Sequence, residues 1–186
     1  MIQHTPLAES LRHCTGAELR DRLAAGHAID PRALDDSEYV GVSLGLPGFI
    51  EKLSWVTFVK TFHRDPATAL LRGWNVRLEQ RGIAAELAGD ARAFRRRSDG
   101  EPMSFGHYRV VDNERGIGTP TGLLIDYSFG GGGPFSLMRD PLVALESGSV
   151  EALLGWSYVS IFGLTIGTPS YFLLVRAGAL SHRASP

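Results

Sequence analysis

The chain has 186 residues, of which 44% are hydrophobic and 21% charged, and a formal net charge of −1. A single domain of that size can bury roughly 70% of the surface its unfolded chain exposes. The missing basic excess excludes a binder of nucleic-acid phosphates, so no nucleic-acid partner is expected. Cys14 is the one cysteine, so no internal disulfide can form and a reducing compartment is expected. Met1 to Ser10 lacks a basic region followed by an apolar run, so no secretory signal is read and the expected location is cytoplasmic.

In chain order, residues 15 to 26 predict a short helix. Thr15 can cap it, Glu18 stands where a capping box needs an acid, and Gly26 follows as a stop. Asp30-Pro31 starts a turn or short helical piece through Leu34. Tyr39 to Leu46 alternates Val40, Val42, Leu44 and Leu46 with Tyr39, Gly41, Ser43 and Gly45, which is the period of a strand. Phe49 to His63 then predicts a helix, because Phe49, Ile50, Leu53, Phe58 and Phe62 fall near three-to-four spacing. Strands follow at Trp74–Leu78, Gly106–Val111, Gly122–Phe129, Pro141–Leu145, Leu153–Ile161 and Ser170–Arg176, while residues 82 to 101 give no clear pattern.

Ala152 to Val175 carries no Asp, Glu, Lys or Arg and is long enough to span a bilayer. Gly155, Gly163, Gly167 and Pro169 interrupt it, so two strands joined by a turn are expected and no membrane span. The expected fold is mainly β (α+β): a closed antiparallel barrel with an N-terminal helix and a helical crossing after the first strand. Residues 1–34 form a helical extension on the barrel and 35–180 the barrel domain. A parallel α/β fold would need a helix after nearly every strand, and the C-terminal half has no room for them.

Three places carry a family resemblance. They are Leu34 with Tyr39-Val40-Gly41, the stretch Ser54-Trp55 to Phe62, and Leu154-Gly155-Trp156 followed by Pro169-Ser170-Tyr171-Phe172-Leu173-Leu174-Val175-Arg176. In these the chain resembles the lipocalin-like (calycin) barrels and, more loosely, the small bacterial GXWXG-type domains, although Ser43 stands where that pattern has tryptophan. The resemblance implies a barrel around a cavity and nothing finer.

Gly41-Val42-Ser43-Leu44-Gly45 matches the G-x-S-x-G nucleophile elbow, but the preceding Asp35-Asp36-Ser37-Glu38 is polar where a hydrolase strand is apolar. The reading preferred is a strand with small residues where the helix packs close. His63-Arg64-Asp65 echoes a kinase catalytic loop, yet Leu70 stands where the Asn belongs. Gly130–Gly133 has no following Lys-Ser/Thr, so it reads as a hairpin turn or a lid at a barrel end, not as a phosphate loop. The arginines at 92, 95, 96 and 97 stand beside Asp90, Asp99 and Glu101 and read as a solvated segment. No two of the six histidines have metal spacing, so neither a metal nor a cofactor is expected.

The candidate catalytic residues are Asp126, His107, Arg109 and Tyr127. A charge in mid-strand among Leu123-Leu124-Ile125 needs a partner if buried, and Arg109 or His107 would supply one. The alternative is that Asp126 and Arg109 face solvent. Trp74, Trp156, Tyr158, Tyr171 and His63 are the candidate ligand-binding residues, unless they are plain packing. Three functions stay open. The first is binding of a small hydrophobic or aromatic molecule in a barrel cavity. The second is a cofactor-independent biosynthetic enzyme, such as a cyclase, isomerase or lyase, in the same cavity. The third is a filled-core partner-binding domain, with a homodimer surface.

Overall fold

Two short helices lead the chain in. The computed structural model describes residues 4–45, 56–88, 93–130 and 132–184. Helix α1 spans His4–Arg12 and α2 spans Gly16–Ala24. The expected capping box on α2 is present: the Glu18 amide donates to the Thr15 hydroxyl oxygen at 3.3 Å, and the Thr15 amide donates to the Glu18 carboxylate at 2.7 Å. Pairing these orphan groups fixes where the helix starts.

Eight antiparallel strands follow and close into a barrel in sequence order. They are β1 (Ser37–Leu44), β2 (Thr57–Arg64), β3 (Leu71–Arg77), β4 (Ser104–Asp112), β5 (Leu123–Asp126), β6 (Met138–Ala144), β7 (Ala152–Ile161) and β8 (Leu164–Ala179). β8 completes the ring on β1, from Ser37 opposite Ala179 to Leu44 opposite Tyr171. Closure leaves the paired strands without an open edge. The charge-free run from Ala152 to Val175 is the β7–β8 hairpin. No described helix is long and apolar enough to cross a membrane.

The helical crossing is corrected over Thr57–His63, which lies in β2; its expected earlier part, Phe49 to Trp55, falls outside the described residues. Phe58 and Phe62 are four apart, a spacing that serves a helix face and a strand face alike. The β-branched Thr57, Val59 and Thr61 between them suit the pleated surface. Strand β5 also stops sooner than expected. The Asp126 side chain accepts a hydrogen bond from the Ser128 amide at 2.8 Å, which turns Tyr127–Phe129 into a single 3₁₀ turn. The unassigned stretch after β3 contains a six-residue helix, α3 (Ile83–Ala88).

Three apolar clusters hold the fold. The inner one combines Tyr39, Phe62, Leu71, Tyr108, Ile125, Tyr127, Leu142, Leu153, Phe172 and Leu174. Ile29 and Leu34, from the segment before β1, join it and close the end of the barrel where β1 begins. A second cluster lies outside, where Leu11, Leu19 and Leu23 of the two helices cover Val42, Leu44, Leu154 and Leu173. The third packs Val59, Trp74, Val76 and Leu78 of β2 and β3 against Ala184 near the C-terminus.

Candidate functional site

On the inner wall, four glycines each face an aromatic ring from a neighbouring segment. Gly41 stands opposite Phe58, Gly73 opposite Tyr108 and Gly155 opposite Phe172, while Gly106 lies under Tyr127. A Cβ at Gly41 would collide with the Phe58 ring, and one at Gly155 with the Phe172 ring. At Gly73 it would come within 2.7 Å of the Tyr108 ring. The glycine at 41 is therefore space for a ring, which accounts for the first glycine of the G-x-S-x-G pattern without a nucleophile elbow.

Those four rings surround one ammonium group. Lys60 projects inward from β2, and its Nζ lies 4.8 Å from the centroid of Tyr108, 5.2 Å from those of Tyr127 and Phe172, and 5.9 Å from that of Phe58. Such contacts favour a cation over an aromatic face. Lys60 Nζ donates to the Tyr127 hydroxyl at 2.7 Å, and that hydroxyl donates to Asp140 Oδ2 at 3.0 Å. Lys60 Nζ and Asp140 Oδ2 are themselves 3.5 Å apart. Asn75 completes the cluster: its Nδ2 donates to the Gly106 carbonyl at 3.2 Å and reaches the Tyr127 hydroxyl at 3.5 Å. Tyr108 spends its own hydroxyl on the Thr61 carbonyl, at 2.6 Å.

Lys60 and Asp140 are both almost fully buried. Burial lowers the Lys60 ammonium to about 8, against the opposing pull of Asp140. Burial likewise raises the Asp140 carboxyl, while Lys60, Ser157 and Tyr127 pull it back down. Both shifts favour the neutral forms, because a low-polarity interior penalises each charge. Tyr127 is pushed well above its ordinary value by burial first and the Asp140 charge second, so it stays a donor. The chain of contacts from Lys60 through Tyr127 to Asp140 can pass a proton across two hydrogen bonds.

Of the residues singled out in the sequence, Tyr127 belongs to this cluster. Asp126, its neighbour, faces outward and pairs with Arg139 at 2.9 Å, not with Arg109 or His107. Arg109 stands opposite Asp126 in the ladder, but its guanidinium lies 4.0 Å over the Phe129 ring. His107 rests near Trp74 on the outer face, ring centroids 6.1 Å apart, and burial with the Arg72 charge lowers its pKa. Trp74 sits in the outer cluster of β2 and β3. His63 points outward at the closed end and contacts Asp36 through Nδ1.

Trp156, Tyr158 and Tyr171 form an outer aromatic row, with ring centroids 5.5 Å apart for Trp156–Tyr158 and 6.3 Å for Trp156–Tyr171. Trp156 and Tyr171 line a surface cleft of about 440 Å³ with Arg20, Leu23 and the 116–120 loop. Lys60, Asn75, Tyr108 and Asp140 were not foreseen as site residues. One signal was available for Lys60, since the chain has 17 arginines and only two lysines, Lys52 and Lys60.

Among the described residues, no group of three or more His, Cys, Asp or Glu side chains comes together to hold a metal. No family model, curated protein or solved structure matches the chain.

Proposed function

We propose that the barrel binds a small molecule with an aromatic or apolar body, whose one polar acceptor meets Lys60 and Tyr127. The observation that carries this is the Lys60–Tyr127–Asp140 cluster, with Lys60 buried among four aromatic rings beside a mostly apolar inner cluster. A buried ion pair is seldom the stablest way to fill a core, since apolar residues of similar volume do as well or better. Ligand pockets, by contrast, combine apolar walls with a few placed polar groups. Eight antiparallel strands in sequence order also support kinship with the lipocalin-like barrels, which hold one small ligand inside.

A second reading is acid–base catalysis in the same place, as by a cyclase, isomerase or lyase. It is favoured by the Lys60 value of about 8, near the range where a general base works at neutral pH. The test for both begins with native mass spectrometry and fluorescence titration against a panel of small aromatic and apolar compounds. Saturable binding, weakened at least tenfold by Lys60→Met and unchanged by Asp126→Ala, is the expected result. A folded protein that takes up none of the panel overturns the reading.

A further inference from the structure

Lysine is rare in this chain and its placement is specific. Arginine is used at 17 positions, and lysine only at 52 and 60. Arginine pairs with carboxylates in a two-pronged geometry and does not release its proton in proteins, whereas lysine can become a neutral amine. An interior position built only to neutralise Asp140 would suit either residue, but one built to offer a nucleophile needs lysine.

We propose that Lys60 is a covalent anchor whose amine condenses with a small aromatic or apolar aldehyde or ketone to form a Schiff base inside the barrel. This rests on the ligand-binding reading above. The lone pair of the neutral amine attacks the carbonyl carbon and forms the C–N bond. The C=O π pair moves to oxygen, which takes a proton from the Tyr127 hydroxyl 2.7 Å from Nζ. Tyr127 recovers that proton from the new ammonium. The nitrogen lone pair then expels the hydroxyl, which takes a second proton from Tyr127 and leaves as water; the C=N bond forms, and the iminium proton returns to Tyr127. Amine and carbonyl thus give imine and one water, with no oxidant or reductant. A protonated imine would keep Asp140 as its counter-ion and the four rings as its walls.

Two further observations suit this role. With a value of about 8, roughly a tenth of the Lys60 amine is neutral at pH 7, against well under 0.1% for an ordinary lysine. The cluster is also one aromatic layer from solvent. The Phe135 ring lies 6.3 Å from that of Tyr127 and is itself 40% exposed, in the segment that follows Gly132 and Gly133.

The test uses the intact chain with benzaldehyde, cinnamaldehyde and hexanal, each reduced in place with cyanoborohydride and mapped by peptide mass spectrometry. The expected result is a secondary amine on Lys60, formed at least tenfold faster than on Lys52 or the chain's amino terminus. Its rate should climb to a plateau near pH 8. Labelling that favours Lys52, labelling that rises only above pH 10, or no label on Lys60 overturns the proposal. The matching alcohols, followed by fluorescence quenching, separate the two levels. Alcohols that bind while Lys60 stays unlabelled defeat the covalent step and leave the binding reading standing. If neither binds nor labels, both fall.

Discussion

Arg139 and Asp140 are neighbours on β6 and point to opposite sides of the barrel wall. Outside, Arg139 meets Asp126 at 2.9 Å, and both side chains keep about one-sixth of their surface in water. Inside, Asp140 meets Lys60 at 3.5 Å and neither keeps more than a trace. The outer pair is screened by solvent and contributes on the order of 0–1 kcal/mol. For the inner pair, each partner's charge is tolerable only because the other is there, since losing one leaves the other uncompensated in a poorly polar interior. The same chemistry on one strand therefore serves as surface decoration on one face and as a strong constraint on the other.

The sharpest way to break this contrast is to remove one carboxylate at a time. Asp140→Ala should cost about 3–5 kcal/mol in urea unfolding at neutral pH. Asp126→Ala should cost only about 1 kcal/mol, including its cap on the Ser128 amide. A Lys60→Met/Asp140→Leu double variant should regain most of the loss, because an apolar pair of similar volume needs no partner. Equal costs for the two single variants would show that burial does not separate the faces.

The pH dependence of stability comes next in size. The folded value of Lys60 is about 8, below its unfolded value, so above pH 8 the folded chain has shed a proton that the unfolded chain still holds. Stability should therefore rise between pH 8 and 10, by up to about 2–3 kcal/mol. Above pH 10 the trend should reverse. Burial pushes Tyr39 up to about 12, and Tyr108 and Tyr127 rise with it, so the folded chain then holds more protons than the unfolded one. Denaturant midpoints measured across this range should show the rise in the wild type and lose it in Lys60→Met.

Smaller effects sharpen the picture of the wall itself. Gly155→Ala would place its Cβ within the Phe172 ring and should cost roughly 1–3 kcal/mol by overpacking. Phe172→Leu in the same chain should relieve part of that cost, by equilibrium unfolding. Thr15→Ala, far from the barrel interior, should cost about 1 kcal/mol through the lost α2 cap. It should leave small-molecule binding unchanged.

Much of the fold was legible because it rests on local chemistry. The Thr15–Glu18 box announced α2, and the alternation of Val40, Val42 and Leu44 announced β1. The charge-free run after Ala152 read as a hairpin because its glycines could not sit comfortably in one long helix. The stretch holding Phe58 and Phe62 was misread over Thr57–His63 because a four-residue spacing has no preference between helix and strand. Partners in the ladder settled it: Phe58 pairs with Gly41 on one side and Arg77 on the other.

The site was less legible for a related reason. Leu123, Leu124 and Ile125 are apolar on both strand faces, so the sequence did not reveal which of Asp126 and Tyr127 enters the barrel. Moving by one residue exchanges the inner and outer sets, and the residue that enters is Tyr127. His107, Arg109, Trp74 and Trp156 fell outside by the same alternation. Lys60 was hidden in a segment read as a helix, and Asp140 sits immediately before Pro141, which marks a strand start rather than an interior group.

What the sequence determined by itself is the inventory and the local grammar. It set the two-lysine economy, the capping box, the alternating strands and the glycines that leave room for rings. Only the tertiary structure decided which residues meet. Closing eight strands joins β2, β6 and the 3₁₀ turn after β5 across the lumen and brings Lys60, Tyr127 and Asp140, up to 80 residues apart in sequence, within hydrogen-bonding and ion-pair reach. No local propensity encodes that distance, because it depends on the stagger and closure of the whole sheet.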